Sequence, residues 1–277
     1  MKQQNGKPLK IGLALGGGAA LGFAHIGVIK VLQDNGINID YVAGTSMGSV
    51  IGSLFACGMT VDKMLEAVKT FDIKKITKLN GFRIIKEGLY NTERLEEYIE
   101  TLANTKLVEQ TKIPFRCNAV DLYTGKEYVF KSGSLGQAVR ASSAIPGLFK
   151  PVRKDNMLLV DGGVVNNIPF NIAKQMGADF VIAVDVCPKY VKKEKISNIV
   201  EVITNSFGLI QNKHELARRA ELKQVGFVLE ISSSRNEQDY SLEAMNSAYE
   251  LGVEITQKNI LKLKRAITKR KKELGKV

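Results

Sequence analysis

Ser46 stands between two glycines in Val42-Ala43-Gly44-Thr45-Ser46-Met47-Gly48, a spacing that can present a hydroxyl as a nucleophile. A serine at the tip of a sharp strand-to-helix turn takes strained backbone angles, and a side chain at Gly44 or Gly48 would collide with the neighbouring strand or helix. The flanks suit such an elbow. Residues 39–43 read as a strand, and residues 47–56, rich in small side chains, read as a helix able to pack closely on a sheet. The same five residues also suit a buried turn in which Ser46 only caps the helix, so its chemistry depends on its partners.

A hydroxyl nucleophile needs a base, and histidine is the usual one. This chain has two histidines. His25 lies inside an apolar helix and reads as a core or interface residue. His214 lies in the charged helix Asn212-Lys213-His214-Glu215-Leu216-Ala217-Arg218-Arg219, with nothing around it resembling a catalytic loop. Asp161 is better placed. It ends the apolar strand Met157-Leu158-Leu159-Val160, and Gly162 and Gly163 behind it let its loop approach another backbone closely. A carboxylate with its ordinary pKa of about 4 is a weak base. Its site must raise that value by desolvation or hold the pair in good geometry. Without Ser46, the Asp-Gly-Gly triplet would read as an ordinary tight turn.

Gly16, Gly17 and Gly18 follow the buried strand 11–15 and open a helix running to about Asn35, with Leu21, Ala24, Val28 and Val31 at helical spacing. Glycine amides in such a turn point outwards together and can hold the oxyanion of a tetrahedral intermediate, or a phosphate. The amide of Met47, one residue past the serine, would be the other donor. A dinucleotide loop is the competing reading, but Gly16, Gly18 and Gly22 are spaced one residue too long for its fingerprint.

Four blocks occur in order: the glycine loop with Gly22-Phe23-Ala24-His25-Ile26-Gly27, the elbow Gly44-Thr45-Ser46-Met47-Gly48, the segment 141–152 (ASSAIPGLFKPV), and Asp161-Gly162-Gly163. Together they resemble the patatin-like phospholipases over about residues 10 to 175, most closely the bacterial, cytosolic, single-domain branch. The resemblance implies an α/β fold, a three-layer α/β/α sandwich around a mostly parallel sheet. It also implies a Ser-Asp dyad without histidine: Ser46 as nucleophile, Asp161 as general base, and amides of Gly16, Gly17 and Gly18 in the oxyanion hole. The implied reaction is hydrolysis of a lipid carboxylic ester through an acyl-serine, with no metal or organic cofactor. One position departs from the family pattern. Many members carry Arg or Lys where this chain has Leu21, which leaves neutral and lysolipid esters open beside phospholipids. A lipid-binding or scaffold protein of the same fold, or an acyltransferase, are the alternative functions.

The rest of the chain is read as support for these residues. Alternating strands and helices (strands at 114–120, 127–130, 179–186 and 226–231; helices at 61–70, 91–99 and 135–141) indicate a sheet covered on both faces. Ile196, Val200, Ile203, Phe207 and Ile210 form a further helical stripe, while residues 71–90 are lysine-rich and hard to assign. A catalytic domain over residues 9–252 and a basic amphipathic helix over 253–277 follow. Of the net charge of +12, seven charges fall in residues 254–277. The stripe Val253, Ile260, Leu263, Ile267 and Leu274 would lie on an anionic bilayer or pack on the domain. Lys2, Lys7 and Lys10 precede an uncharged run from Ile11 to Ile29, but six glycines and His25 break it, so it reads as part of the fold and not as a signal peptide. Cys57, Cys117 and Cys187 are few and far apart, which points to a reducing, cytoplasmic setting without disulfides or zinc. No aromatic platform or reading motif for nucleic acid is present.

Overall fold

A computed structural model describes every residue except 1–6, 80–89, 187–195, 197 and 234–238. Strands in chain order are β1 (Ile11–Leu15), β2 (Tyr41–Gly44), β3 (Lys78–Leu79), β4 (Tyr90–Asn91), β5 (Phe115–Asp121), β6 (Glu127–Phe130), β7 (Val152–Lys154), β8 (Met157–Asp161), β9 (Phe180–Asp185) and β10 (Gly226–Glu230). The main sheet runs β10-β9-β1-β2-β5-β8-β7, with β6 also on β5. Its centre, from β10 to β5, is parallel, and β6, β7 and β8 pair antiparallel at one side.

Side chains of period two leave this sheet on both faces. Leu13, Leu15, Val42, Phe180, Ile182 and Val184 enter one core, while Ala14, Ala43, Val181 and Ala183 enter another. The first core is covered by α1 (Ala24–Asp34), α2 (Met47–Ala56), α3 (Val61–Thr70), α5 (Glu93–Ala103), α6 (Leu135–Ser142) and α9 (Leu242–Glu273), with the one-turn α4 (Ile73–Ile76) nearby. The second is covered by α7 (Phe170–Gln175) and α8 (Ile199–Val225) through Phe170, Ile172 and Leu222. The result is a three-layer α/β/α sandwich with a mostly parallel sheet.

Differences from the sequence reading are local. The glycine loop opens first into a 3-10 turn, Ala19–Phe23, before α1 begins. β8 runs antiparallel to β5, so Asp161 comes to the site from the opposite chain direction to Ser46. Register still brings them level. Gly44 lies opposite Cys117 and Asp161 opposite Ala119, two residues farther along β5, and Ser46 is two residues beyond Gly44. Part of the segment 71–90 and Cys187 lie outside the described residues.

The terminal helix α9 is continuous from Leu242 to Glu273, so the boundary drawn at residue 253 falls inside it. Its apolar stripe faces inwards as far as Ile267, with Leu263 and Ile267 buried in the first core and Leu274 exposed near the end. Two glycines allow this contact. A Cβ on Gly27 of α1 would overlap the Tyr249 carbonyl, and one on Gly252 of α9 would overlap that of Ala24, so the two helix backbones touch. Below them Asp179 accepts from Lys276 and from the Lys10 amide. Gly252→Val should therefore cost about 1–3 kcal/mol by overpacking, read as a lower urea midpoint; an unchanged midpoint would show that the helices are not in contact.

Candidate active site

The level ends of β1, β2 and β9 place three loops side by side, since Leu15 pairs with both Gly44 and Val184. Ser46 sits at the sharpest of them, with φ 52° and ψ −126°, a left-handed conformation that costs a non-glycine residue roughly 1–3 kcal/mol. Packing enforces it. A Cβ on Gly48 would overlap the Leu15 carbonyl, and one on Gly44 would come within 2.5 Å of the Gly48 carbonyl. The Ser46 amide donates to Ser142 Oγ at 3.0 Å, and its carbonyl accepts from Ser49 and Val50. The hydroxyl is therefore the group of Ser46 left for other chemistry.

Asp161 is fully buried. Its Oδ1 accepts from the Gly163 amide at 2.7 Å, and its own amide donates to Ala144, next to the segment that holds Ser46. Burial pushes the carboxyl up to about 7, against the downward pull of the Ser46 hydroxyl and the Gly163 amide. Oδ2 has no hydrogen bond in good geometry. The serine thus acts on the carboxyl across a loose contact, as catalytic pairs commonly do in unliganded sites. Gly162 and Gly163 are needed here, because side chains would overlap Asn118 and Gln211.

The glycine loop is narrower in function than its sequence reads. The Gly16 amide donates to Val184 at 3.0 Å and that of Gly17 to Asn167 at 3.2 Å, so neither is free to meet an oxyanion. Both glycines are structural: a Cβ on Gly17 would sit 3.0 Å from Ser46 Cβ and 2.6 Å from Asn167 Oδ1. Among the described residues the amides of Gly18 and Met47 have no acceptor, while those of Gly48 and Ser49 are taken by Thr45 and Ser46. Met47 is the first residue of α2, where the helix dipole is positive.

His25 lies beneath this loop. It is fully buried, held neutral by a pKa lowered to about 4 through desolvation, and its Nε2–H donates to the Gly16 carbonyl at 2.8 Å. It shapes the loop and does not reach Ser46 by any hydrogen bond. Leu21 is buried in the first core, so its position contributes no cation. His214 belongs to the backbone of α8, but its side chain lies outside the described residues.

Sequence reasoning missed the polar network behind Ser46 and Asp161. Thr45 Oγ1 donates to Asn118 Oδ1 at 2.7 Å, Asn118 and Asn166 both donate to Glu127, and Arg218 donates to Asn166 and Asn171 while its guanidinium lies 4.4 Å from the Phe170 ring centre. Asn167 binds Gly17 through both its backbone and its Nδ2, and receives Gln211 Nε2 on Oδ1 at 2.9 Å. The available signal was Asn166-Asn167, two amides inside the apolar run 164–168 just after Asp-Gly-Gly.

A largely apolar cleft of about 850 Å³, counting its open mouth, meets this site at Ser46 and Met47. It runs between α2, α3 and α5 past Leu54, Val68, Leu95 and Phe71, and among the described residues none that lines it is acidic, basic or histidine.

The raised carboxyl makes stability depend on pH in a definite direction. Unfolded Asp161 loses its proton near 3.8 and folded Asp161 near 7. The folded state binds the extra proton between these values, and its stability falls as pH rises across that window. Asp161→Asn should therefore melt higher than the wild type at pH 8, with the gap shrinking towards pH 4. A gap independent of pH would contradict the buried, raised carboxyl.

Comparisons with known proteins bear on the fold and the family. Residues 13–174 match the family model described as patatin-like phospholipase. An uncharacterized NTE family protein of Mycobacterium bovis is 37% identical over 177 residues, 64% of this chain and 49% of that one. The patatin-like phospholipase domain-containing protein 6 of Mus musculus is 35% identical over 181 residues, 64% of this chain and 13% of that one. This chain thus spans about half, or less, of the length of these curated relatives. VipD from Legionella pneumophila shares the fold, with a TM-score of 0.55 at 16% identity over 93% of this chain and 67% of that chain. With its family model matched across more than half of its length, from the first strand through the Asp161 loop, the chain belongs to the patatin-like phospholipase family.

Proposed function

We propose that the protein is a serine-dependent lipid acyl hydrolase working through a Ser46-Asp161 dyad. The observation that carries this reading is the largely apolar cleft opening on a strained serine beside a carboxyl raised to about 7. Ionised Asp161 takes the Ser46 proton as Oγ adds to the ester carbonyl, and the amides of Gly18 and Met47 hold the oxyanion. Collapse expels the alcohol, which receives the proton from Asp161, and leaves an acyl-serine. Water, deprotonated by Asp161, then adds to the acyl-serine, and release of the acid returns the proton to Ser46. The cleft takes the acyl chain, whose burial supplies about 0.8 kcal/mol per methylene. A charged head group finds no partner among the described lining residues and stays at the mouth. Transfer of the acyl group to an alcohol needs only a different acceptor, and product analysis with added lysolipid separates the two outcomes.

Ser46→Ala and Asp161→Asn should each lower kcat/KM on a medium-chain p-nitrophenyl ester by about a thousandfold or more, while folded wild type is labelled at Ser46 by a fluorophosphonate. Wild-type kcat/KM should rise with pH to a plateau with a midpoint near 7, because the ionised carboxyl is the active form. Full activity in Asp161→Asn, or a midpoint near 4, would remove the dyad.

Contact with a lipid surface belongs to this reading, but the terminal helix spends its apolar stripe on the domain. The N-terminal half of α8 is the better surface. Ile199, Val202, Leu209 and Ile210 are exposed on one uncharged arc, and Ile203 beside them packs over Gly147, between the cleft residues Ile145 and Phe149. An apolar face beside an acyl cleft fits the interfacial layer of a bilayer. Among the described residues no helix is long and apolar enough to cross one. Val202→Lys/Leu209→Lys should lower co-sedimentation with phosphatidylglycerol-containing vesicles several-fold and leave hydrolysis of a soluble short-chain ester intact; equal co-sedimentation would sink the assignment.

A further inference from the structure

Both backbone groups of Gly17 are held by one residue. Its amide donates to the Asn167 carbonyl at 3.2 Å, and its carbonyl accepts from Asn167 Nδ2 at 3.0 Å. Asn167 is fully buried, and the other end of its side chain, Oδ1, accepts from Gln211 Nε2 on α8 at 2.9 Å. An amide side chain has a donor end and an acceptor end of nearly equal shape. Gln211 decides between them, because its N–H on Oδ1 leaves the Nδ2 donor to meet Gly17.

The consequence reaches one residue further. The Gly17 carbonyl and the Gly18 N–H belong to the same peptide unit, which is planar and carries them on opposite sides. Fixing the carbonyl against Asn167 therefore turns the Gly18 N–H away from Asn167, and among the described residues that N–H has no acceptor. The preceding peptide is fixed as well, with His25 on the Gly16 carbonyl at 2.8 Å and the Asn167 carbonyl on the Gly17 amide. Such grips are needed at this point. A peptide between two glycines has no Cβ on either side to resist turning over, and bulk cannot supply the restraint, since a Cβ on Gly17 would sit 2.6 Å from Asn167 Oδ1 and one on Gly18 2.3 Å from the Val186 carbonyl.

We propose that Asn167 is a positioning residue for the oxyanion: its side-chain amide, oriented by Gln211, holds the peptide joining Gly17 to Gly18 in the orientation that offers the Gly18 N–H to the substrate. This rests on the acyl-hydrolase reading above. Asn167 acts through the peptide and not on the substrate. A turned peptide would present a carbonyl where negative charge develops, replacing attraction with repulsion. An asparagine that was only a satisfied core amide would contribute to stability and leave the discrimination for an oxyanion unchanged.

Two ligands of nearly the same shape separate these roles. 2-Dodecanone binds as a ketone, whereas 1,1,1-trifluoro-2-dodecanone accepts Ser46 Oγ at its carbonyl carbon, the carbonyl pair moving to oxygen as the serine proton passes to Asp161, and so carries the oxyanion. Both are measured by displacement of a fluorescent fatty acid, and their ratio is read within each variant, so a general loss of binding does not obscure it. Wild type should prefer the trifluoroketone by about a thousandfold. Asn167→Leu, which keeps the branching but has neither the N–H nor the oxygen, should cut that preference by about a hundredfold, with kcat on an ester falling in parallel and KM changed less than about threefold. Gln211→Met, which frees the Asn167 amide to turn, should cut it by about tenfold, and it carries the test alone if Asn167→Leu does not fold. Crystal structures of wild type and Asn167→Leu should show the peptide in two orientations. An undiminished preference in a folded variant, or a peptide that keeps its wild-type orientation in Asn167→Leu, would overturn the positioning role. Wild type that neither hydrolyses esters nor prefers the trifluoroketone would remove the acyl-hydrolase reading, and the two crystal structures would then decide the grip of Asn167 on the peptide; hydrolysis by wild type with undiminished preference in the variants would keep that reading and remove the positioning role.

Discussion

A carboxyl group buried without a cation is the constraint around which this molecule is arranged. Asp161 has one backbone amide on Oδ1, no hydrogen bond on Oδ2 and only the loose influence of Ser46 on its carboxyl. Ionising such a group in the protein interior is costly unless it is paired, and the cost appears as a pKa near 7 in place of about 4. The same desolvation that strains the fold makes the carboxyl a stronger base at neutral pH. A lysine or arginine placed against Oδ2 would stabilise the charge and take that basicity away.

Holding such a group requires a rigid surrounding, and the polar network supplies it. Asn118, Asn166, Asn167, Glu127, Gln211 and Arg218 link β5, β6, the Asp161 loop and α8 through side-chain hydrogen bonds. Asn167 joins this network to the glycine loop, and His25 grips the same loop from below through Gly16. Loop, elbow and carboxyl are thereby fixed relative to one another, as preorganised donors must be if they are not to reorganise during reaction. Glycines do the complementary work by keeping Cβ atoms out of the contacts where Gly17 meets Ser46 and Gly163 meets Gln211.

Much of this was readable in the residues. The period-two runs at 11–15 and 180–185 carry the sheet, and the glycines at 44 and 48 carry the turn at Ser46, because both are local consequences of side-chain spacing and size. The network was not readable, since its members come from positions as far apart as 45 and 218 and each is an ordinary polar residue until folding buries it. The terminal helix shows the same limit. Its stripe is equally suited to a bilayer or a protein face, and only the Gly27–Gly252 approach selects the protein.

By itself the sequence determined the α/β class, the serine elbow and the family, because short-range patterning and motif order survive in one dimension. Tertiary structure decided which amides of the glycine loop are taken by backbone carbonyls. Gly16, Gly17 and Gly18 are alike as letters, yet carbonyls of Val184 and Asn167 from distant segments take the first two, and among the described residues none takes the third. It also decided that Asp161 is buried from all sides. Hydrogen bonding and desolvation depend on what the rest of the chain brings to a point in space, and no local spacing records that.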